Sequence, residues 1–410
     1  MRATSVLRIL LALPKTIVVG FEFDDNGLIV DVRPTWRVAR CSDCGHKCAG
    51  YDERTRTWRH LDLAGIQCRV RYALRRVSCP RCGVKVEEVP WAESGSGFTL
   101  PFEGHTTYLA QRTDKTTVVE QMRIAWPTVG KIIQRFMRRA HKDTDRLDGL
   151  RIIGVDELSY RRHHEYVTVV VDHERGEIVW AAKGKSAATL KSFFEQLGEA
   201  RCAQLEAVTI DLSGAYIKAV TEATPNAKII FDRFHVQRLA HNAVDEVRRE
   251  EVRKADTVDK KPLKKTRWAL QKNPWNLTRL ERDKLESLQR ANQPIFRAYL
   301  LKESLIAILD RRQVHVASAK LDEWLAWARR SRLKPFVKLA KTIDKHRDGI
   351  LEYVRTRLNN GRTEGLNGKA RTITRRAYGF HSASSLIAML FLCCGGIQAH
   401  PAHIFPFLTH

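Results

Sequence analysis

The hydrophobic pattern of this chain switches between two periods. From 150 to 235 it comes in short runs of strand length. RIIGVDEL, EYVTVVVD and EIVWAAKG follow one another, and HERGE with Gly176 joins the last two as a hairpin. Ser186 then caps a helical stretch in which Leu190, Phe193, Phe194 and Leu197 share one face. AVTIDL, a helix from about Ala215 and the run AKIIFDRFHV complete the series. Three antiparallel strands followed by helix, strand, helix and strand predict one mixed α/β sheet.

On either side the pattern differs. The opening MRATSVLRILLALPKTIVVGF is apolar, but Arg8 and Lys15 interrupt it and no small-residue cleavage site follows, so it reads as a strand or packing segment. TRTWRHLDLAGIQCRVRYALRRVSC reads as strands, and SGSGFTLPFEGH as a Ser/Gly/Pro linker. Val118, Val119 and Met122 mark a short helix, RIAW a turn, and Pro127 opens a second helix through PTVGKIIQRFMRRAH. Val129, Ile132, Ile133 and Phe136 form its apolar stripe, while Lys131, Arg135 and Arg138 lie on another face, as in a helix-turn-helix offered to DNA. Residues 240–350 are rich in Leu, Lys, Arg and Glu with Trp268, Trp275, Trp324 and Trp327 among them, which predicts an inserted helical domain. TVDKKPLKKTR within it reads as a lysine-rich turn or tip. Glu364, Asn367 and Arg371 follow at i, i+3, i+7 on one helix face, and Leu386, Leu390 and Cys393 mark a last apolar helix. LIAMLFLCCGGI is too short to span a bilayer, so a soluble, cytoplasmic protein is expected.

Charge sharpens the picture. Lys+Arg number 71 against 46 Asp+Glu, a net +25 in 410 residues. That surplus points to a polyanionic partner, since each neutralised phosphate releases counterions. Nine cysteines are too few for a disulfide scaffold, but Cys41-Ser-Asp-Cys44-Gly and Cys79-Pro-Arg-Cys82-Gly are two knuckles. Each pair can face one ion, and together they predict a tetrahedral Zn2+ site. Four thiolates leave no position for substrate, so this ion is structural. Arg69, Arg71, Arg75 and Arg76 make the same module basic, and Cys48 and Cys68 read as packed thiols.

The reactive chemistry rests on carboxylates. Asp156 and Asp211 each end an apolar strand-like run, and Glu364 opens a helical one. Three acids on separate elements suit a pair of hard divalent ions, Mg2+ or Mn2+, which serve phosphodiester chemistry. Glu157 neighbours Asp156 and therefore points to the opposite face of its strand, so Asp156 is the expected ligand. Asp232 and His235, three apart at a strand end, either line the site or support it, and Asp232 rivals Asp211 as the second acid.

Taken together, the CxxCG pairs, GVDE, DLSGAYIKAV, DRFHVQRLAHNAVDEVRR, TEGLNGKAR and RRAYGF resemble the ISL-three family of bacterial insertion-sequence transposases. The resemblance implies a DDE enzyme with a ribonuclease-H-like core and Asp156, Asp211 and Glu364 as its metal-binding triad. It implies binding of terminal inverted repeats by the zinc module and helix-turn-helix, then metal-dependent cleavage and strand transfer. Arg71, Arg75, Lys131, Arg135 and Arg138 are the expected DNA contacts, with Asn367 and Arg371 beside the triad. Synapsis of two DNA ends implies a homodimer or larger assembly. The expected fold class is multidomain α+β: a zinc-ribbon-like module (1–95), a helix-turn-helix region (98–148), a ribonuclease-H-like core in two parts (150–239 and 351–398), an all-helical insertion (240–350) and a C-terminal tail (399–410). Two rival readings share these residues: a zinc-containing DNA-binding regulator with an inactive core, and a metal-dependent nuclease without strand transfer.

Overall fold

A computed structural model describes residues 2–401 apart from 143, 162–164, 256–262, 264, 359, 360, 378, 379 and 381, and omits the side chains of 161, 362–364 and 367. The chain forms two compact units. One comprises Met1–Thr144, Arg375–Tyr378 and Ala388–His410; the other comprises Asp145–Thr374 and Gly379–Ile387.

The first unit opens with a helix, α1 (Ala3–Leu11), where the sequence predicted a strand or packing segment. The apolar residues there fall at helical intervals, Leu11 is buried, and Ala12 ends the helix in the left-handed conformation at φ 48°. Strands β1 (Thr16–Asp24), β2 (Gly27–Pro34), β3 (Ala49–Leu63), β4 (Ile66–Cys79) and β5 (Gly83–Val86) follow. They form one sheet in the order β1-β2-β4-β3, with β5 paired to β4. The β3–β4 hairpin turns through Ala64 and Gly65, both at positive φ, which suits the right-handed twist of the flanking strands. Val30, Val70 and Trp58 fill its core, and Trp58 meets Trp91 edge-on at 5.7 Å.

Three helices complete this unit: α2 (Leu100–Arg112), α3 (Lys115–Met122) and α4 (Trp126–Ala140). The second half of the stretch expected as a linker is built into α2 instead. Thr99 caps the helix, and Ser96 donates to the fully buried Glu103 at 2.8 Å. Tertiary pairing has overridden a Pro/Gly-containing sequence. The α3–α4 turn lacks glycine, and Arg123 takes the left-handed conformation at φ 53° while its guanidinium holds Asp62 and the Gly65 carbonyl. On α4 the buried stripe is Val129, Ile132, Ile133 and Met137; Phe136, expected in it, is only half-buried.

The second unit is built on β6 (Ile152–Arg161), β7 (Glu165–Asp172), β8 (Glu177–Lys183), β9 (Ala207–Ile210) and β10 (Lys228–Phe231). The sheet order is β10-β9-β6-β7-β8. β7 is antiparallel to both β6 and β8, whereas β9 is parallel to β6 and β10 to β9. Helices α5 (Ala187–Leu197), α6 (Glu199–Cys202) and α7 (Gly214–Ala223) fall between the strands, and Ser186 caps α5 as predicted. β10 stops at Phe231, five residues short of the expected run, because α8 (Arg233–Lys254) begins immediately after Asp232.

Helices then fill the chain to 356: Arg267–Gln271, Arg279–Ala291, Gln293–Leu309, Val314–Arg330, Lys334–Lys345 and Arg347–Thr356. A reciprocal Thr278/Glu281 capping box starts the second of these. Of the tryptophans, Trp324 is buried and donates to the Leu301 carbonyl at 2.8 Å, while Trp268 and Trp275 are exposed. Gly349 permits a close approach, since a Cβ there would lie 2.5 Å from the Phe231 ring and 2.8 Å from the Ile229 carbonyl oxygen. Most of TVDKKPLKKTR lies outside the described residues. Helices Gly361–Arg376 and Ala383–Cys394 close the chain, with Cys393 and Cys394 buried. Among the described residues no helix is long and apolar enough to cross a membrane.

Candidate functional site

Three aspartates end up level with one another in the second unit. β6 pairs with β9 from Ile152↔Ala207 to Gly154↔Thr209, and β10 pairs with β9 up to Phe231↔Ile210. Carrying the first register two residues onward sets Asp156 beside Asp211. Carrying the second one residue onward sets Asp232 beside Asp211. Residues level on parallel strands point to the same face, so the row is a product of register. It lies where β9 and β10 end, the edge at which open α/β sheets place their ligands.

Local bonding fixes two of the three. The Asp156 carboxylate accepts from the Glu157 N–H at 2.7 Å, and Asp211 accepts from the Ser213 N–H at 3.0 Å just before α7. Asp232 is buried, and its carboxylate lies 4.0 Å from Nε2 of His235. The other His235 nitrogen, Nδ1, is buried without a hydrogen-bond partner among the described residues. Glu364 and Asn367 are on the helix Gly361–Arg376, but their side chains lie outside the described residues; Arg371 on the same helix is exposed.

Glu157, set aside from its position on the strand, also belongs to this neighbourhood. Burial raises its carboxyl pKa, a Tyr216 hydrogen bond opposes this, and the charges of Asp211 and Asp156 push it further up. Tyr216 sits on α7, and its hydroxyl meets the Thr168 hydroxyl at 2.9 Å. Strand alternation alone missed this glutamate, because Asp211 lies past the end of β9 where the chain turns into α7. Carboxylates whose charges push the Glu157 pKa up are oxygen donors of the kind a divalent cation takes, so their chemistry fits such an ion, although among the described residues the acids do not close into a three-ligand cluster as the cysteines do.

The cysteine site is complete in the first unit. The sulfurs of Cys41, Cys44, Cys79 and Cys82 all lie within 4.8 Å of one another, and those of Cys44 and Cys79 are 3.6 Å apart. A tetrahedron with Zn–S near 2.3 Å needs sulfurs about 3.8 Å apart, so the cluster fits a structural zinc ion. The knuckle glycines Gly45 and Gly83 take φ 69° and 73°, which a side chain would strain. Burial opposes ionisation of Cys79, but the N–H groups of Arg81 and Cys82 and the sulfurs of Cys44 and Cys41 bring its pKa down to about 6. Its hydrogen bond with Cys44, followed by burial, pushes Cys82 up to about 12. Cys48 packs beside the cluster and Cys68 in the neighbouring core, both as expected of spare thiols.

The predicted DNA contacts divide in two. Lys131 and Arg138 are exposed on α4. Arg135 instead turns inward to Glu103 at 2.7 Å, joined by Arg139 at 2.6 Å, and the pair fastens α4 to α2. Arg71 is held by Asp31 and Glu22, each at 2.6 Å, and Arg75 by the buried Glu87 at 2.7 Å.

Comparison with known proteins follows the same division. A family model described as "Transposase", of the ISL3 DDE group, matches residues 153–390. A "helix-turn-helix domain of transposase family ISL3" matches 87–137, and a "zinc-finger of transposase IS204/IS1001/IS1096/IS1165" matches 37–82. The transposase for insertion sequence element IS1557 of Mycobacterium tuberculosis is 39% identical over 429 residues, covering 97% of this chain and 96% of that protein. The transposase for insertion sequence element IS1001 of Bordetella parapertussis is 28% identical over 358 residues, covering 86% and 88%.

Proposed function

Because the chain belongs to the ISL3 family of insertion-sequence transposases, we propose that it binds the terminal inverted repeats of its own element, cleaves DNA there and joins the freed end to target DNA. The observation that carries this reading is the level row of Asp156, Asp211 and Asp232. The strand order β8-β7-β6-β9-β10, with its antiparallel meander and two parallel additions, supports a ribonuclease-H-like core. Residues 150–239 and 351–398 supply that core, 240–350 an inserted helical domain, 1–95 the zinc module, 98–148 the helix-turn-helix, and 399–410 a tail.

In this reading Asp156, Asp211 and Glu364 hold two divalent ions, Mg2+ or Mn2+. When bound, such ions stabilise the charge that develops on the attacking and leaving oxygens of an in-line displacement. The chain's own groups do the rest. Asp232, at the end of the row, and His235, 4.0 Å from it at the start of α8, support the neighbouring Asp211 without holding the ions. Glu157, whose carboxyl pKa is raised first by burial and then by the charges of Asp211 and Asp156, lies beside the row. Arg371 and Asn367, on the helix with Glu364, would contact phosphate in this reading. Lys131 and Arg138 position the repeat through its backbone, while the inward Arg135 keeps α4 rigid. Two copies acting on two ends would complete the reaction.

Full-length protein and its Asp156→Asn variant, given a terminal-repeat duplex, target DNA and Mg2+ or Mn2+, test the proposal. Wild type should yield cleaved and joined products. The variant should bind the duplex equally but lose both products by at least about 100-fold, the scale of removing one group that stabilises developing charge. Cleavage without joining would indicate a nuclease, and equal binding with no products from either protein an inactive-core regulator.

A further inference from the structure

The strongest unassigned feature lies on the second unit. Between 329 and 341 the sequence RRSRLKPFVKLAK carries six basic residues and no acid. Four of them, Arg332, Lys334, Lys338 and Lys341, line one cavity of about 380 Å³ with Val337. All four are exposed. Among the described residues none of the four has a carboxylate within ion-pair distance, although Arg329 close by pairs with Asp344 at 2.6 Å. Four like charges gathered without a counter-charge repel one another, and a fold gains nothing from holding them together unless an anion joins them.

The cavity wall is fixed. Pro335, Phe336, Leu339, Ala340 and Ile343 are buried on the opposite face of the helix Lys334–Lys345, which anchors the lysine stripe. The turn before it is tied by Ser331, whose hydroxyl donates to the Ala328 carbonyl at 2.7 Å and accepts from the Leu333 N–H at 3.2 Å. Arg297 donates to the Ser331 carbonyl at 3.0 Å, and Arg332 is held in the left-handed conformation at φ 60°. Lys334, Lys338 and Lys341 stand at i, i+4 and i+7, a stripe about 10 Å long at ~1.5 Å per residue. At ~3.4 Å of axial rise per phosphate, that length spans about three phosphates of one DNA strand.

We propose that this cleft is a second DNA site, one that grips the phosphodiester backbone of duplex DNA without reading its sequence. It rests on the transposase reading above, but it lies on the second unit, whereas the end-binding contacts proposed there lie on the first. Guanidinium and ammonium groups with no base-reading partner suit backbone contact, so the cleft should hold repeat and non-repeat DNA alike.

The test uses full-length protein and a duplex lacking the terminal repeat, with affinity measured across a salt series. Wild type is compared with Lys334→Gln/Lys338→Gln/Lys341→Gln and with Lys191→Gln/Lys218→Gln/Lys284→Gln, which removes three exposed lysines elsewhere on the same unit. Each lost phosphate contact should remove about 0.9 from the slope of log K against log salt. The cleft variant should therefore lose about 2 to 3 from that slope, and the control less than about 1. Equal losses in both variants, or none in the cleft variant, would overturn the inference while wild-type binding kept the transposase reading intact. Failure of wild type to bind any duplex at low salt would remove both. Unchanged unfolding midpoints verify that the variants are folded.

Discussion

Four sulfurs in the first unit and three aspartates in the second each gather anion-forming donors at one place, but the chain assembles them differently. The cysteine site is made by two short knuckles, each supplying two ligands and its own positive-φ glycine. The aspartates lie on β6 and just past the ends of β9 and β10, and they are brought level only by the register these strands share. A site written in local motifs can be read from spacing. A site written in register can be read only once the pairing of strands is known.

That contrast can be broken most forcefully at the zinc. Cys44→Ser should reduce bound zinc from about one per chain to near zero by metal analysis, forfeiting a binding free energy on the order of 10 kcal/mol. The second unit should keep its own unfolding transition. Loss of both transitions together would show that the cysteine site is not self-contained.

A smaller effect tests the first unit without touching zinc. His60 is buried beside the Thr99 hydroxyl at 2.8 Å; burial first, then Arg59, brings its pKa down to about 4. The folded ring is neutral, while the unfolded chain takes up a proton near pH 6.5. Stability from this histidine is therefore complete above about pH 6.5 and is lost as pH falls toward 4, by about 3 kcal/mol at most. The difference in denaturation midpoint between wild type and His60→Gln should follow that window, and a difference independent of pH would refute it.

The smallest effect bears on register. Gly349→Ala forces the helix Arg347–Thr356 away from the Phe231 ring and the Ile229 carbonyl at the end of β10. Overpacking of this kind should cost the second unit about 1–3 kcal/mol in urea unfolding. Zinc content should not change. Unaltered stability would mean that β10 and the position of Asp232 do not depend on this contact.

Much of the architecture was legible beforehand, for identifiable reasons. The strand runs from 150 to 210, the Ser186 cap and the CxxCG knuckles carry their own signals, and each was found where expected. Helix α2 was hidden because its Pro and Gly look like a linker, and what holds it is Glu103 reaching Arg135 and Arg139 from another helix. Charge was visible but its partners were not, so Arg71, Arg75 and Arg135 looked as available as Lys131. Glu157 was set aside by alternation, which places a side chain on a face but says nothing of the loop that leaves the next strand, and so its nearness to Asp211 went unseen. The level standing of Asp211 and Asp232 was invisible for the same reason that their rivalry was open: both follow from ladder pairing.

That rivalry is where the account is most exposed. Wild type, Asp211→Asn and Asp232→Asn should be assayed side by side for end cleavage and joining with Mg2+, with duplex binding and zinc content as controls. With Asp211 holding the ion and Asp232 supporting it, the first variant should give neither product, and the second should give both at reduced rate. Full activity in Asp211→Asn, with none in Asp232→Asn, would contradict the assignment of the metal-binding row.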